Sequence, residues 1–196
     1  KLVNGNIKNR YHKSVYGHGY IGIGKHKVSI KGVLTKKYEI WSGMLQRCYD
    51  SEYHQEYPAY KDVTVCDEWH NYQNFGDWYD ERYKEEWWQL NNDLLSGGKK
   101  LYSPETCVFI PIELEYFLIR REMKRRLYLG IFDTVEEAGL AYINNQLLNM
   151  TVWLRYLDNH PRIERRVYKG MKVIYEEYKK EQDDLRRIAS ESSANN

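Results

Sequence analysis

The chain has 196 residues, 42% apolar, 15% aromatic and 30% charged, with a net charge of +2. That is room for one domain, or one with a helical appendage, and no run approaches the roughly 18 apolar residues of a bilayer span, so a membrane partner is not expected. Cys48, Cys66 and Cys107 are widely spaced and lack a C-x-x-C pair, which argues against a disulfide scaffold or zinc ribbon and for a reducing cytoplasm; KLVNGNIKNR at the N-terminus lacks a secretory h-region.

Taken in order, residues 1–36 are polar and Gly-punctuated. SVYGHGYIGIG and HKVSIKG read as two short strands of a β-hairpin arm, and their glycines as bends, not a phosphate cradle. Thr35 is placed to cap a helix whose Tyr38, Trp41, Leu45 and Cys48 fall on one buried stripe. YDSEYHQEYPAYKD, with Pro58, reads as a loop, VTVCDEW as a strand, and HNYQNFGDWYDERY as a helix. That helix would bury Tyr72, Phe75, Trp78 and Tyr79 and present Asp77, Asp80 and Glu81. WWQLNNDLL and LYSPETCVFIP read as paired strands joined at SGGKK, where Gly97–Gly98 suit a left-handed turn, with a helix over 112–121. The stretch from Trp41 to Pro111 holds five of the six tryptophans and all three cysteines, so the core is expected there.

Beyond it, Leu127–Phe132 reads as a strand and the next segment as a helix capped by Asp133 or Thr134, with Ala138, Tyr142 and Ile143 inward. A long charged helix follows, broken at Gly170, with a disordered ASESSANN tail. The expected organisation is an N-terminal arm (1–36), a core (37–122), a strand–helix segment (123–158) and a charged helix (159–190). The fold class is α+β: a small ββα-type core with an N-terminal β-hairpin and C-terminal helices.

W-x-x-M-L-x-R-C-Y, V-x-V-C-x-E-W and Y-S-P-E-T-C-V-F-I-P, in that order over roughly 15–117, resemble phage and mobile-element proteins of the HNH (ββα-metal) endonuclease group. The resemblance implies a hairpin and helix that sit on DNA and, in active members, grip one divalent cation. Where such proteins carry the acidic residue and histidine this chain has Leu90-Asn91-Asn92-Asp93, and Lys99 stands where the motif's asparagine would be. A single-metal nuclease needs a base and ligands for the metal. The catalytic candidates left are Asp93, Glu105 and His70, the last beside Asp67 and Glu68; His54, or a set of His12, His18 and His26, is the remaining imidazole source. R-R-L-Y-L-G-I-F-D-T-V-E-E-A-G-L-A-Y (125–142) resembles the last strand and helix of the ethylene-response (Apetala-type) DNA-binding domain.

Local basic density suits phosphate contact. The expected DNA contacts are Lys99 and Lys100 at the turn tip, Arg120, Arg121, Lys124, Arg125 and Arg126 after the helix, and Tyr128, with Arg125, Arg126 and Tyr128 toward bases. A second cluster is Arg162, Arg165, Arg166, Lys169 and Lys172. The expected function is a phage-type DNA-binding protein on a degenerate HNH scaffold, with double-stranded DNA as partner, cleavage lost and no cofactor. Magnesium or manganese enters only if the nuclease reading holds. Two alternatives stand: an active metal-dependent endonuclease, or a factor that binds a host protein (an enzyme or defence system) through its Tyr/Trp-rich surface. The expected location is the host-cell cytoplasm.

Overall fold

The computed structural model describes residues 7–122 and 128–194. The fold is α+β, and the chain divides into two compact units, Lys1–Phe109 and Ile110–Asn196.

The first unit is built on helix α2 (Lys36–Tyr49), which follows the short α1 (Ile7–Arg10) and a two-residue hairpin, β1 (Ser29–Ile30) with β2 (Val33–Leu34). Thr35 starts α2 as the sequence indicates: its Oγ1 accepts from the Tyr38 N–H at 3.3 Å, satisfying one of the donors every helix start leaves open. Trp41, Met44, Leu45 and Cys48 are buried along one stripe. Across from them lies α4 (Tyr72–Arg82), capped by Asn71, whose Oδ1 accepts from the Gln73 N–H at 3.1 Å. Tyr72, Phe75, Trp78 and Tyr79 of α4 are buried. Trp69 joins them, with ring centroids 5.2 Å from Phe75 and 4.6 Å from Trp78, and Phe109 sits 5.1 Å from Trp78. These tilted and edge-on rings are the arrangement aromatic quadrupoles favour, so the core is as aromatic as composition indicates.

The β structure differs from the expected hairpins. SVYGHGYIGIG makes only isolated bridges, Val15 to Gly19 and Tyr20 to Asn71, and the hairpin is confined to residues 29–34. VTVCDEW is a strand only at β3 (Thr64–Val65), then turns into a 3-10 segment over Asp67–His70. WWQLNNDLL stops being strand after β4 (Gln89–Asn91): Asn91 Oδ1 accepts from the Leu94 N–H at 2.9 Å and starts the one-turn helix α5 (Asp93–Ser96). Its supposed partner is split. β5 (Leu101–Tyr102) runs parallel to β3, while β6 (Val108–Ile110) pairs with β4. Between them Thr106 Oγ1 donates to the Leu101 carbonyl at 2.6 Å and turns the chain. Gly97 does supply the left-handed conformation, with φ 57°, at the end of α5. Residues 51–56 are helix α3 (Ser51–Glu56), not loop, because Asp50 caps them, accepting from the Glu52 N–H at 2.9 Å.

The second unit begins with α6 (Ile112–Glu122), immediately after Pro111. Two long helices follow: α7 (Val135–Asp158) and α8 (Arg165–Ala194). Thr134 is the cap of α7, its Oγ1 accepting from the Glu137 N–H at 3.1 Å, and Ile143 is buried while Ala138 and Tyr142 are half-buried. The contacts Gly139 to Leu185 and Asn144 to Gln182 set α7 and α8 antiparallel. Gly170 does not break α8, and helix runs on through the tail expected to be disordered, as far as Ala194. No strand forms over 128–132; Leu127 lies outside the described residues. Among the described residues no helix is long and apolar enough to cross a membrane.

Two glycines give opposite expectations. A Cβ on Gly76 would collide with the His26 ring, whereas one on Gly43 in α2 meets nothing within 4 Å. Gly76→Ala should therefore lower unfolding stability by about 1–3 kcal/mol. Gly43→Ala should raise it by about 0.5–1 kcal/mol, because alanine loses less backbone entropy in a helix. Urea unfolding monitored by tryptophan fluorescence measures both.

Candidate nucleic-acid interface

Helix α8 has two faces with different chemistry. Ile163, just before it, and Val167, Met171 and Gln182 are buried, and Ile174, Tyr178 and Leu185 are half-buried along the same side. On the opposite side Arg165, Lys169 and Lys172 recur at i, i+4, i+7 and are all exposed, with exposed Arg162 just upstream. Over 162–172 there are five cations against the single acid Glu164. At about 1.5 Å per residue the helical part of the stripe, Arg165 to Lys172, is about 10 Å long. Its members are held out from the helix: Arg165 stacks 4.0 Å over the Tyr168 ring and bonds Asp158 at 2.6 Å, and Lys172 reaches Glu176 at 3.2 Å.

The other expected DNA contacts are dispersed. Lys99 and Lys100 are exposed at the Gly97–Gly98 turn of the first unit, and Lys100 pairs with Asp62 at 3.2 Å. Arg120 and Arg121 lie in the last turn of α6. Lys124, Arg125 and Arg126 lie outside the described residues. Tyr128 is 82% exposed on irregular backbone.

The catalytic candidates each have their own surroundings. Asp93 is on α5; its carboxyl stands at the surface but is crowded by protein, and this desolvation, opposed by Arg47, holds it above the ordinary carboxylate range. Glu105 accepts from Ser103 Oγ at 2.7 Å. His70 is committed elsewhere: the Tyr49 hydroxyl, which accepts from the Val65 N–H at 3.0 Å, donates to His70 Nε2 at 2.9 Å. Its Nδ1 faces Asp67 at 3.7 Å. With its lone pair engaged by tyrosine, the ring is not free to take a proton from water. Among the described residues no three His, Cys, Asp or Glu side chains are arranged to hold a metal ion.

The remaining histidines also separate. His54 Nε2 donates to the Arg47 carbonyl at 2.8 Å. His18 stacks on Tyr49 at 3.7 Å. His26, itself buried, belongs to a charge network at the surface that sequence distance conceals. Its Nε2 donates to Asp77 at 3.0 Å, while Nδ1 accepts from Lys37 at 2.8 Å. Lys37 also pairs with Asp80, and Lys25 pairs with Asp77 at 2.9 Å, whose pKa is lowered first by Lys25 and then by His26. The acidic face of α4 is thus partly neutralised by the N-terminal arm. Sequence reasoning gave Arg47 no role of its own: it stands in the W-x-x-M-L-x-R-C-Y motif, but nothing in that spacing indicates what its side chain meets.

Burial, with help from His18 and Lys13 and against Asp67, holds the His70 imidazole below its ordinary value. Its unfolded pKa is about 6.5. Above that pH both states are neutral and the stability is fully present; as pH falls below it the unfolded chain takes up a proton first, and stability is lost. Urea midpoints should fall between about pH 7 and pH 5, and His70→Gln should flatten that decline; an unchanged slope in the variant would refute the assignment.

Comparison with known proteins finds no matching family model, no matching curated protein and no matching solved structure.

Proposed function

We propose that the chain is a DNA-binding protein of phage type, on an HNH-like scaffold that no longer cleaves, and that the outer face of α8 is its main phosphate contact. The observation that carries this reading is the Arg162–Arg165–Lys169–Lys172 stripe, set opposite the side that packs on α7. Exposed pairs such as Arg165 with Asp158 and Lys172 with Glu176 contribute little to a helix's own stability and can be exchanged for other anions. A polyanion releases counterions when such a stripe neutralises its phosphates, which makes the stripe favourable on binding. Arg165 stacked on Tyr168 has a guanidinium whose orientation is fixed before contact, which lowers the entropy lost on binding. The loss of cleavage is supported by the different surroundings of Asp93, Glu105 and His70. The scaffold reading is supported only by chain order: paired β4 and β6, then α6.

A second reading is favoured by one further observation. Leu148, Val152 and Tyr156 lie at i, i+4, i+8 on α7 and are 66%, 63% and 41% exposed. An apolar stripe of this kind is the usual anchor of a helix-in-groove protein contact, so a host-protein partner is the alternative.

Fluorescence anisotropy with a mixed-sequence duplex tests both. In EDTA, binding should weaken steeply as salt rises, and Lys169→Ala with Lys172→Ala should reduce the log–log salt slope by about 2. Leu148→Ser should leave DNA binding unchanged. Absence of duplex binding at low salt overturns the DNA reading. With magnesium or manganese added the duplex should stay intact; metal-dependent strand breaks would overturn the proposed loss of cleavage.

A further inference from the structure

Arg47 projects from α2 into the first unit and is half-buried. Buried charges in proteins are normally paired with an opposite charge. Among the described residues no carboxylate lies within ion-pair distance of Arg47; its one hydrogen bond runs from Nε to the Tyr102 hydroxyl at 3.2 Å, with the guanidinium 5.6 Å from the Tyr102 ring centre. Tyr102 cannot neutralise it, since burial raises that phenol well above its ordinary pKa. Asp93 is close enough to feel Arg47 but makes no ion pair with it. Nε is therefore engaged, and among the described residues the Nη edge of the fork has no protein acceptor.

Arg47 also lines a groove of about 190 Å³ between α2 and β4, together with Lys36, Glu39, Ile40, Gly43, Gln89 and Leu90. Lys36 brings a second cation to it. Gly43 offers no side chain to fill it. Ile40 and Leu90 are apolar, while the Gln89 and Glu39 side chains bring a carboxamide and a carboxylate. Gln89 Nε2 also reaches back to the Trp87 carbonyl at 3.4 Å, and Trp87 is 70% exposed with a left-handed φ of 70°. Such a backbone is strained, and it leaves the indole of Trp87, two residues before the lining residue Gln89, in solvent.

We propose that this groove binds the phosphate group of a nucleotide. The Arg47 fork would take two phosphate oxygens side by side, as guanidinium and phosphate do through paired hydrogen bonds, and Lys36, about three turns back along α2, would add a second positive charge to the groove. Glu39 and Gln89 suit the donors of a base or ribose, and Trp87 offers a face for stacking. Inorganic phosphate shares the phosphate chemistry without the base, so the two sources separate in one experiment. The site does not depend on the α8 stripe, and each can fail alone.

The test is a titration of the intact chain, followed by amide shifts and calorimetry, with inorganic phosphate, a nucleoside 5′-monophosphate and the unphosphorylated nucleoside. The monophosphate should bind with millimolar or better affinity and shift Gly43 and the Gln89 side-chain amide. It should bind about tenfold tighter than phosphate, with the nucleoside alone not binding. Arg47→Lys keeps the charge but not the fork, and should weaken binding about tenfold or more. Because Arg47 also packs on Tyr102, exposed Lys36→Ala serves as the variant that leaves the fold untouched, and should weaken binding a few-fold. Lys169→Ala with Lys172→Ala should bind the monophosphate like the parent chain. No shift at 10 mM ligand, shifts away from the groove, or equal affinity in Arg47→Lys and Lys36→Ala would overturn the proposal. Phosphate binding as tightly as the monophosphate would overturn its nucleotide part.

Discussion

Trp41 is fully buried, and its indole N–H donates to the Trp69 carbonyl at 2.7 Å. A large ring can be taken out of water cheaply only if its one polar atom finds an acceptor, so this bond fixes α2 against the segment 69–73 and leaves little freedom elsewhere. The segment is then used three more times. The His70 carbonyl accepts from the Tyr20 N–H, and the Tyr72 N–H donates to the Tyr20 carbonyl, both at 2.9 Å. Gln73 binds the arm from both ends of its amide: Oε1 accepts from the His26 N–H at 2.9 Å, and Nε2 donates to Ile21 and His26 carbonyls at 3.0 and 3.1 Å. A polar arm that could not bury apolar surface of its own is held because its backbone groups are satisfied by one buried glutamine and two neighbouring peptides.

The second unit solves a different problem with less apolar material. A two-helix contact is poorly specified along its length, since one apolar turn resembles the next. Gln182 is 4% exposed within the α8 seam and donates to Asn144 on α7 at 2.5 Å. Sliding the helices by one turn would leave that amide buried without a partner, at a cost of about 1–3 kcal/mol. Polar pairs of this sort trade stability for register. Gly139 contributes at the same seam, because a Cβ there would press on Leu185. With register fixed in this way, the solvent side of α8 is free to carry charge.

Much of this was legible in the sequence, and where it was not the reason is physical. Helix starts at Thr35 and Thr134 can be read because a short polar side chain before an apolar stripe has one main use there. The helix at Ser51–Glu56 had the same mark in Asp50, but Pro58 and the surrounding polarity outweighed it. Strands were the weak point. Alternation over WWQLNNDLL looks continuous, yet one Asn91 side chain bonding the Leu94 N–H ends the strand, and no periodicity registers a single hydrogen bond. Gly170 failed as a helix breaker because Val167 and Met171 on either side are fully buried, and burying each contributes about 1.5–3 kcal/mol against roughly 1 for the glycine.

The sites obey the same division. Basic residues clustered in sequence can be seen without a structure, and the 162–172 run was. What decides whether a cluster is an interface is which side of the helix the cations share, and that depends on where the seam falls. Arg47 and His26 show the opposite case. His26 looked unaccompanied because Asp77 lies 51 residues away, yet they are 3.0 Å apart. Arg47 enters the sequence only as one position of a motif, and its setting is unusual once Tyr102, 55 residues on, is seen to be its neutral neighbour. Net charge is silent on both: Asp77 and Asp80 are engaged by Lys25, His26 and Lys37, while among the described residues Arg47 makes no ion pair. Pairing cancels base and acid together, so what a chain of net charge +2 presents at any one surface is set by where its cations gather, as over 162–172, and not by the total.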